Sequence, residues 1–281
     1  MKYESIPNSL WLTAPIAILL AIAAGGGLLI NGLYRDVPGL VAQAKGQDLI
    51  SVFVVLPMLI IMAILARRGS LRAHLIWLGV MAYLVYTYAS YAFAIQYNPL
   101  FLVYIALLGC SLYALIGVLA TLDMAGLKAH FIEKTPARAV SGLLAVLAFL
   151  FYFLWLSELI PALVAGKIPQ SILDDRTPTN AIHVLDMAWI LPAFVITAVN
   201  LWRKHALGYS LAGVMLTFFV LLASAALSMA LLEAKAGDPE AIPMAGLFGT
   251  LIAIAAGMLL WYLKSLRLSQ VVGIKELVHA A

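Results

Sequence analysis

Eight runs of about twenty apolar residues restrict this chain to folds in which a lipid bilayer is the solvent, since a bilayer core takes about twenty such residues per helix. They fall at roughly 10–33, 49–66, 74–95, 99–122, 139–164, 181–201, 208–232 and 243–263. Charged residues make up 11% of the chain, against about 25% in a soluble domain, so no water-soluble surface can be built. The expected fold is all-α: a polytopic transmembrane helical bundle of about eight spans. The longest connections, near 124–138 and 165–180, leave no room for a soluble domain. Cys110 lies mid-span, so neither a disulfide nor a cysteine metal framework is expected. The first apolar run is long and lacks a clear small-x-small cleavage site around Gly25-Gly26-Gly27, so it is expected to persist as a helix.

Lysine and arginine set the orientation. Twelve of the 17 lie in one set of loops, at 2, 67, 68, 72, 128, 134, 138, 203, 204, 264, 267 and 275. The remaining five are Arg35, Lys45, Lys167, Arg176 and Lys235. The richer side reads as cytoplasmic, which puts both termini inside and the protein in the cell inner (cytoplasmic) membrane. Acidic residues divide the other way, with nine of the 13 on the outer side. An acidic mouth concentrates cations. Nucleic acid is not an expected partner, because membrane orientation accounts for the positive charge.

Two stretches about 134 residues apart read alike. Leu56-Pro57, Arg67-Arg68, Gly79-Val80-Met81 and Ala89-Ser90 recur as Leu191-Pro192, Arg203-Lys204, Gly213-Val214-Met215 and Ala223-Ser224. Pro38 and Pro161 extend the match outward, as do Pro99 and Pro243. The pattern suggests a parallel 4+4 internal repeat, with halves at 1–123 and 139–281 joined by a connector at 124–138. Duplicated membrane halves often place a site where they meet. Pro57 and Pro192 are expected in the outer halves of the second and sixth spans, kinking both.

Ionisable groups within spans are costly and usually face an interior. Here they gather toward the outer side: Gln47, Asp48, Glu158, His183 and Asp186, with Arg35, Tyr91 and Asn98 nearby. The repeat aligns Asp48 with His183, each nine residues before its proline, and Arg35 with Glu158, each three before theirs. Such pairs would neutralise one another across a pseudo-two-fold axis. Tyr86, Trp155 and Trp189 are expected to line the same pocket. His183 and Asp186 share a helix face. With Asp48 and Glu158 they have the right atom types for a divalent metal, though no HxxxH or HExxH spacing is present. Haem is not expected, because His183 is the lone histidine of the outer half. Retinal is not expected either, because Lys264 lies at a helix end.

The leading functional expectation is an extracytoplasmic-facing pocket that binds or transports a small solute or cation, with proton coupling through a histidine near neutrality. The alternatives are a membrane-embedded, metal-dependent enzyme acting on a lipid-like substrate at the outer leaflet, and a ligand sensor or assembly partner without catalysis. The expected partners are the lipid bilayer and a small-molecule or cation ligand; self-association into a homo-oligomer is left open.

Overall fold

With no water to pair with, each backbone N–H and C=O must be satisfied inside its own segment, and the apolar runs fold accordingly as helices. A computed structural model describes residues 8–239 and 241–267. Among them eight helices are long and apolar enough to cross a membrane: α1 (Leu10–Leu29), α2 (Pro38–Arg67), α3 (Leu71–Ala94), α4 (Phe101–Thr121), α5 (Ala137–Val164), α6 (Ala181–Trp202), α7 (Ala206–Ala236) and α8 (Ala241–Lys264). The protein is a multi-pass integral membrane protein. Lys2, Glu4, Glu240, Lys275 and Glu276, which entered the charge reading, lie outside the described residues.

Two boundaries differ from expectation. Helix α1 stops at Leu29 because Ile30 is extended and Gly32 takes a left-handed φ of 72°. Helix α2 starts at Pro38 rather than near residue 49. Proline suits a first helical turn, where its missing N–H has no intrahelical partner to lose. The early start draws Gln43, Gln47 and Asp48 into a continuous helix. It also leaves Pro57 past the midpoint of α2, with Pro192 near the middle of α6, so neither lies in an outer half.

Both prolines follow a widened turn. Residues Ser51–Val55 and Asp186–Ile190 are π-helical, and the Leu56 and Leu191 N–H groups reach back to the Ser51 and Asp186 carbonyls. A proline ring clashes with the carbonyl four residues earlier, and a wider turn makes room for it.

Helices α3 and α7 cross at the centre. Gly79 of α3 rests on Thr217 and the Val214 carbonyl of α7, while Gly213 of α7 rests on Leu75 of α3. Helix α3 is the most enclosed of the eight. Helices α2 and α4 pack on α3; α2, α6 and α8 pack on α7; α5 lies against α6, and α1 lies beside α2 and α4. Outward-facing Phe53, Leu102, Phe149 and Leu163 are exposed, as a lipid-facing surface requires.

At the end of the bundle holding the α2–α3 and α6–α7 turns, the connector is tied to the end of α8. The connector contains a short helix, Met124–Ala129, capped by the Asp123 carboxylate on the Gly126 N–H. Phe131 then bridges to Leu266, Ile132 N–H donates to the Ser265 carbonyl at 3.0 Å, and Arg72 Nη2 donates to the Leu266 carbonyl at 2.7 Å. The Phe131 ring packs on Tyr209 and Tyr262.

Gly46 sets how closely α2 meets α7, since a Cβ there would press into the backbone of Met229. Backbone cannot yield as a side-chain tip can. Gly46→Ala is expected to cost about 1–3 kcal/mol, read as a lower unfolding temperature in detergent. Gly109→Ala, whose added Cβ meets nothing, is the control and should leave that temperature unchanged.

Candidate functional site

Two buried carboxylates organise the other end of the bundle. Asp48 lies on α2 against Gly27 of α1, where a Cβ would collide with both the carboxylate and the Tyr34 hydroxyl. Tyr34, in the turn after α1, donates to Asp48 Oδ2 at 2.6 Å. Tyr91 of α3 stands 3.1 Å from Oδ1 and 2.9 Å from the Ala44 carbonyl, with its hydroxyl directed at both. Its ring packs on Tyr88, Tyr104 and Tyr34, with centroids 5.3–6.3 Å apart. Burial, and then the neighbouring Asp48 carboxylate, push the Tyr34 phenol far above its ordinary range, which keeps it a donor. The Gln47 amide donates to the Tyr83 hydroxyl and to Thr87 Oγ1.

Asp186 opens the π-turn of α6. Its Oδ1 accepts from Tyr86 of α3 at 2.8 Å, and its Oδ2 accepts from the Trp155 indole of α5 at 2.9 Å. Tyr152 donates to the Met187 carbonyl within the same turn at 3.1 Å. His183, one turn earlier, is 3% exposed and lies against Trp155, with ring centroids 4.6 Å apart. Its Nε2 is 3.7 Å from Glu158 Oε2, and neither ring nitrogen has a hydrogen-bond partner. Glu158 is about one-third exposed and accepts the Ser171 N–H at the start of the short helix Gln170–Asp175.

The residues singled out in the sequence therefore meet in two clusters rather than one. Tyr83, Thr87 and Tyr91 of α3 address α2, whereas Tyr86 addresses α6, so the helix itself stands between the clusters. Asp48, Glu158, His183 and Asp186 do not converge as a metal set. Both oxygens of each aspartate are occupied by phenol or indole donors, leaving His183 and Glu158 as the adjoining pair. Among the described residues no group of three or more His, Cys, Asp or Glu is placed to hold a metal ion. Arg35 is exposed, and the partner of Glu158 is His183. Asn98 is buried but spends its side chain on the turn into α4, accepting the Leu100 N–H and donating to the Gln96 carbonyl. Trp189 is half-buried against the core.

Four contributors went unread or misread in the sequence. Tyr34 and Tyr152 carry no periodic signal, one lying in a turn and the other among many apolar neighbours. Gln43 donates to Glu233 at 2.9 Å, tying α2 to α7 through a pair that no motif marks. Gly27 is marked in the sequence by its place in the run Gly25-Gly26-Gly27, since small residues let membrane helices approach closely. An open groove of about 520 Å³ at this end is lined by none of the clustered carboxylates.

The chain matches no protein-family model, no curated protein and no solved structure.

Gly27→Ala is expected to push the Tyr34–Asp48 pair apart and to cost about 1–3 kcal/mol, measurable as earlier thermal unfolding in detergent. Asp175, at the end of the short helix Gln170–Asp175, has its carboxyl raised above the ordinary range by burial, then by Asp174, Glu233 and Glu158. The folded protein thus holds that proton better than the unfolded chain does, so stability falls as pH rises from the ordinary carboxylate range through the raised one. Asp175→Asn should unfold later than wild type above that window and alike below it, in a pH series of melting curves.

Proposed function

We propose that the protein takes up and carries a small cation across its membrane, exchanging it or a proton at Asp48 and Asp186. One observation carries this reading. Each carboxylate is buried within a spanning helix and meets phenol and indole donors, with no lysine or arginine hydrogen-bonded to it among the described residues. A buried charge of this kind calls for a countercharge, and a proton or small cation provides one.

Their placement supports it. Asp186 opens the π-turn before Leu191-Pro192, and Asp48 lies three residues ahead of the π-turn before Leu56-Pro57. Transporters commonly set their ion sites at interrupted helices. We read the chain as a parallel 4+4 repeat with halves at 1–123 and 139–281, in which α3 and α7 correspond and cross through Gly79 and Gly213. The basic loops and both termini face the cytoplasm, and the carboxylate end opens outward from the inner membrane. Glu158 and His183 lie beside Asp186 on the more exposed side, where they relay protons and attract cations. Gln47, Tyr86 and Tyr91 hold the two sites, while Arg35, Asn98 and Trp189 shape their surroundings.

Passage is favoured over chemistry in a blind pocket. Buried polar side chains continue along α3 from Thr87 and Tyr83 to Trp77, which bonds Thr13, and to His74. An enzyme at the outer leaflet needs His183 with two acids facing it, yet Glu158 alone adjoins it, while Asp186 is turned to Tyr86 and Trp155.

Proteoliposomes with an entrapped pH dye test the proposal. An imposed gradient of sodium or potassium is expected to drive proton movement in wild-type vesicles. Asp48→Asn and Asp186→Asn should each slow it by about tenfold or more, toward the rate of empty vesicles. Wild-type vesicles that behave like empty ones, or variants that transport normally, would overturn it.

A further inference from the structure

We infer that the groove between the first turns of α2 and the last turns of α7 holds one anionic phospholipid, its phosphate between Lys45 and Lys235 and an acyl chain along the apolar floor. This rests on the groove alone and not on the carriage of a cation.

The groove follows from how the two helices meet. They touch at Gly46, where the missing side chain admits the Met229 backbone, and the opening lies on the side of that contact nearer the α1–α2 turn. Above the contact, Gln43 bonds Glu233 and ties the two helices together. The opening measures about 520 Å³. Helix α2 lines it with Pro38, Val41 and Ala42, which with Lys45 form a single stripe at helical spacing. Helix α7 answers with Leu232 and Ala236 around Lys235. Each stripe is an apolar strip carrying one cation.

That pattern matches a lipid better than a soluble solute. Both lysines are exposed, and their long stems can lie along apolar surface while the ammonium groups reach the headgroup level. The remaining charge is Asp36, held from the α1–α2 turn by the Gln96 N–H at 2.9 Å. Two lysines against one aspartate leave a single net positive charge, complementary to a phosphodiester lipid of net charge minus one. A zwitterionic lipid lacks that complement, and a soluble phosphate ester leaves the apolar stripes uncovered.

Native mass spectrometry of the full chain released from detergent, titrated with phosphatidylglycerol or phosphatidylcholine, tests this. Wild type is expected to retain one phosphatidylglycerol in preference to phosphatidylcholine. Lys45→Ala/Lys235→Ala should weaken that retention by about thirtyfold, the contribution of two interfacial lysines, and leave phosphatidylcholine unaffected. Val41→Trp, which fills the floor and keeps both charges, should also lose the lipid. Glycerol phosphate should not compete. Equal retention of the two lipids, undiminished retention in both variants, or displacement by glycerol phosphate would each overturn the assignment.

Discussion

A carboxylate enclosed by apolar helices has to find its hydrogen-bond donors on neighbouring helices, and two such carboxylates tie this bundle together. Asp48 is gripped by Tyr34 and Tyr91, so it fastens α2 to the turn after α1 and to α3. Asp186 is gripped by Tyr86 and Trp155, so it fastens α6 to α3 and α5. Helix α3 contributes to both grips and is correspondingly the most enclosed helix. Helix association in a bilayer draws little on hydrophobicity, which makes bonds of this kind and close backbone contact the main organisers.

The close contacts fall where glycine removes a side chain. Gly27 admits Asp48 and Tyr34, Gly46 admits α7, and Gly79 with Gly213 lets the two central helices cross. The prolines have a different effect. By widening the turn before them, Pro57 and Pro192 break the regular spacing of α2 and α6 beside the carboxylates. The π-turn of α6 also presents the Met187 carbonyl to Tyr152, so an interruption in one helix becomes a bond to another. The carboxylates thus gather at one end, while the Phe131–Leu266 bridge and Arg72 tie the connector to the end of α8 at the other.

Length and hydropathy made the eight spans legible, because an apolar run of twenty residues has few alternatives in a membrane. The start of α2 was not legible. Residues 38–48 are polar enough to read as a loop, and they become helical through packing on α7 and through the Asp48 bonds. The acidic and aromatic members of the site could be named, since ionisable residues within spans stand out. Their grouping could not. Which face of α3 each tyrosine serves depends on helix rotation, so Tyr86 and Tyr91, assigned to one pocket, serve two separate carboxylates. Tyr34 was beyond reach because a turn residue carries no periodicity.

Infrared difference spectroscopy between acidic and alkaline buffer is the most direct measurement of the central claim, that Asp48 and Asp186 exchange protons with the medium from within the bundle. The account predicts carboxyl bands in the wild-type difference spectrum, one lost on replacing Asp48 with asparagine and another on replacing Asp186. A difference spectrum left unchanged by both replacements would mean that the two carboxylates are sealed structural ties, contradicting the account.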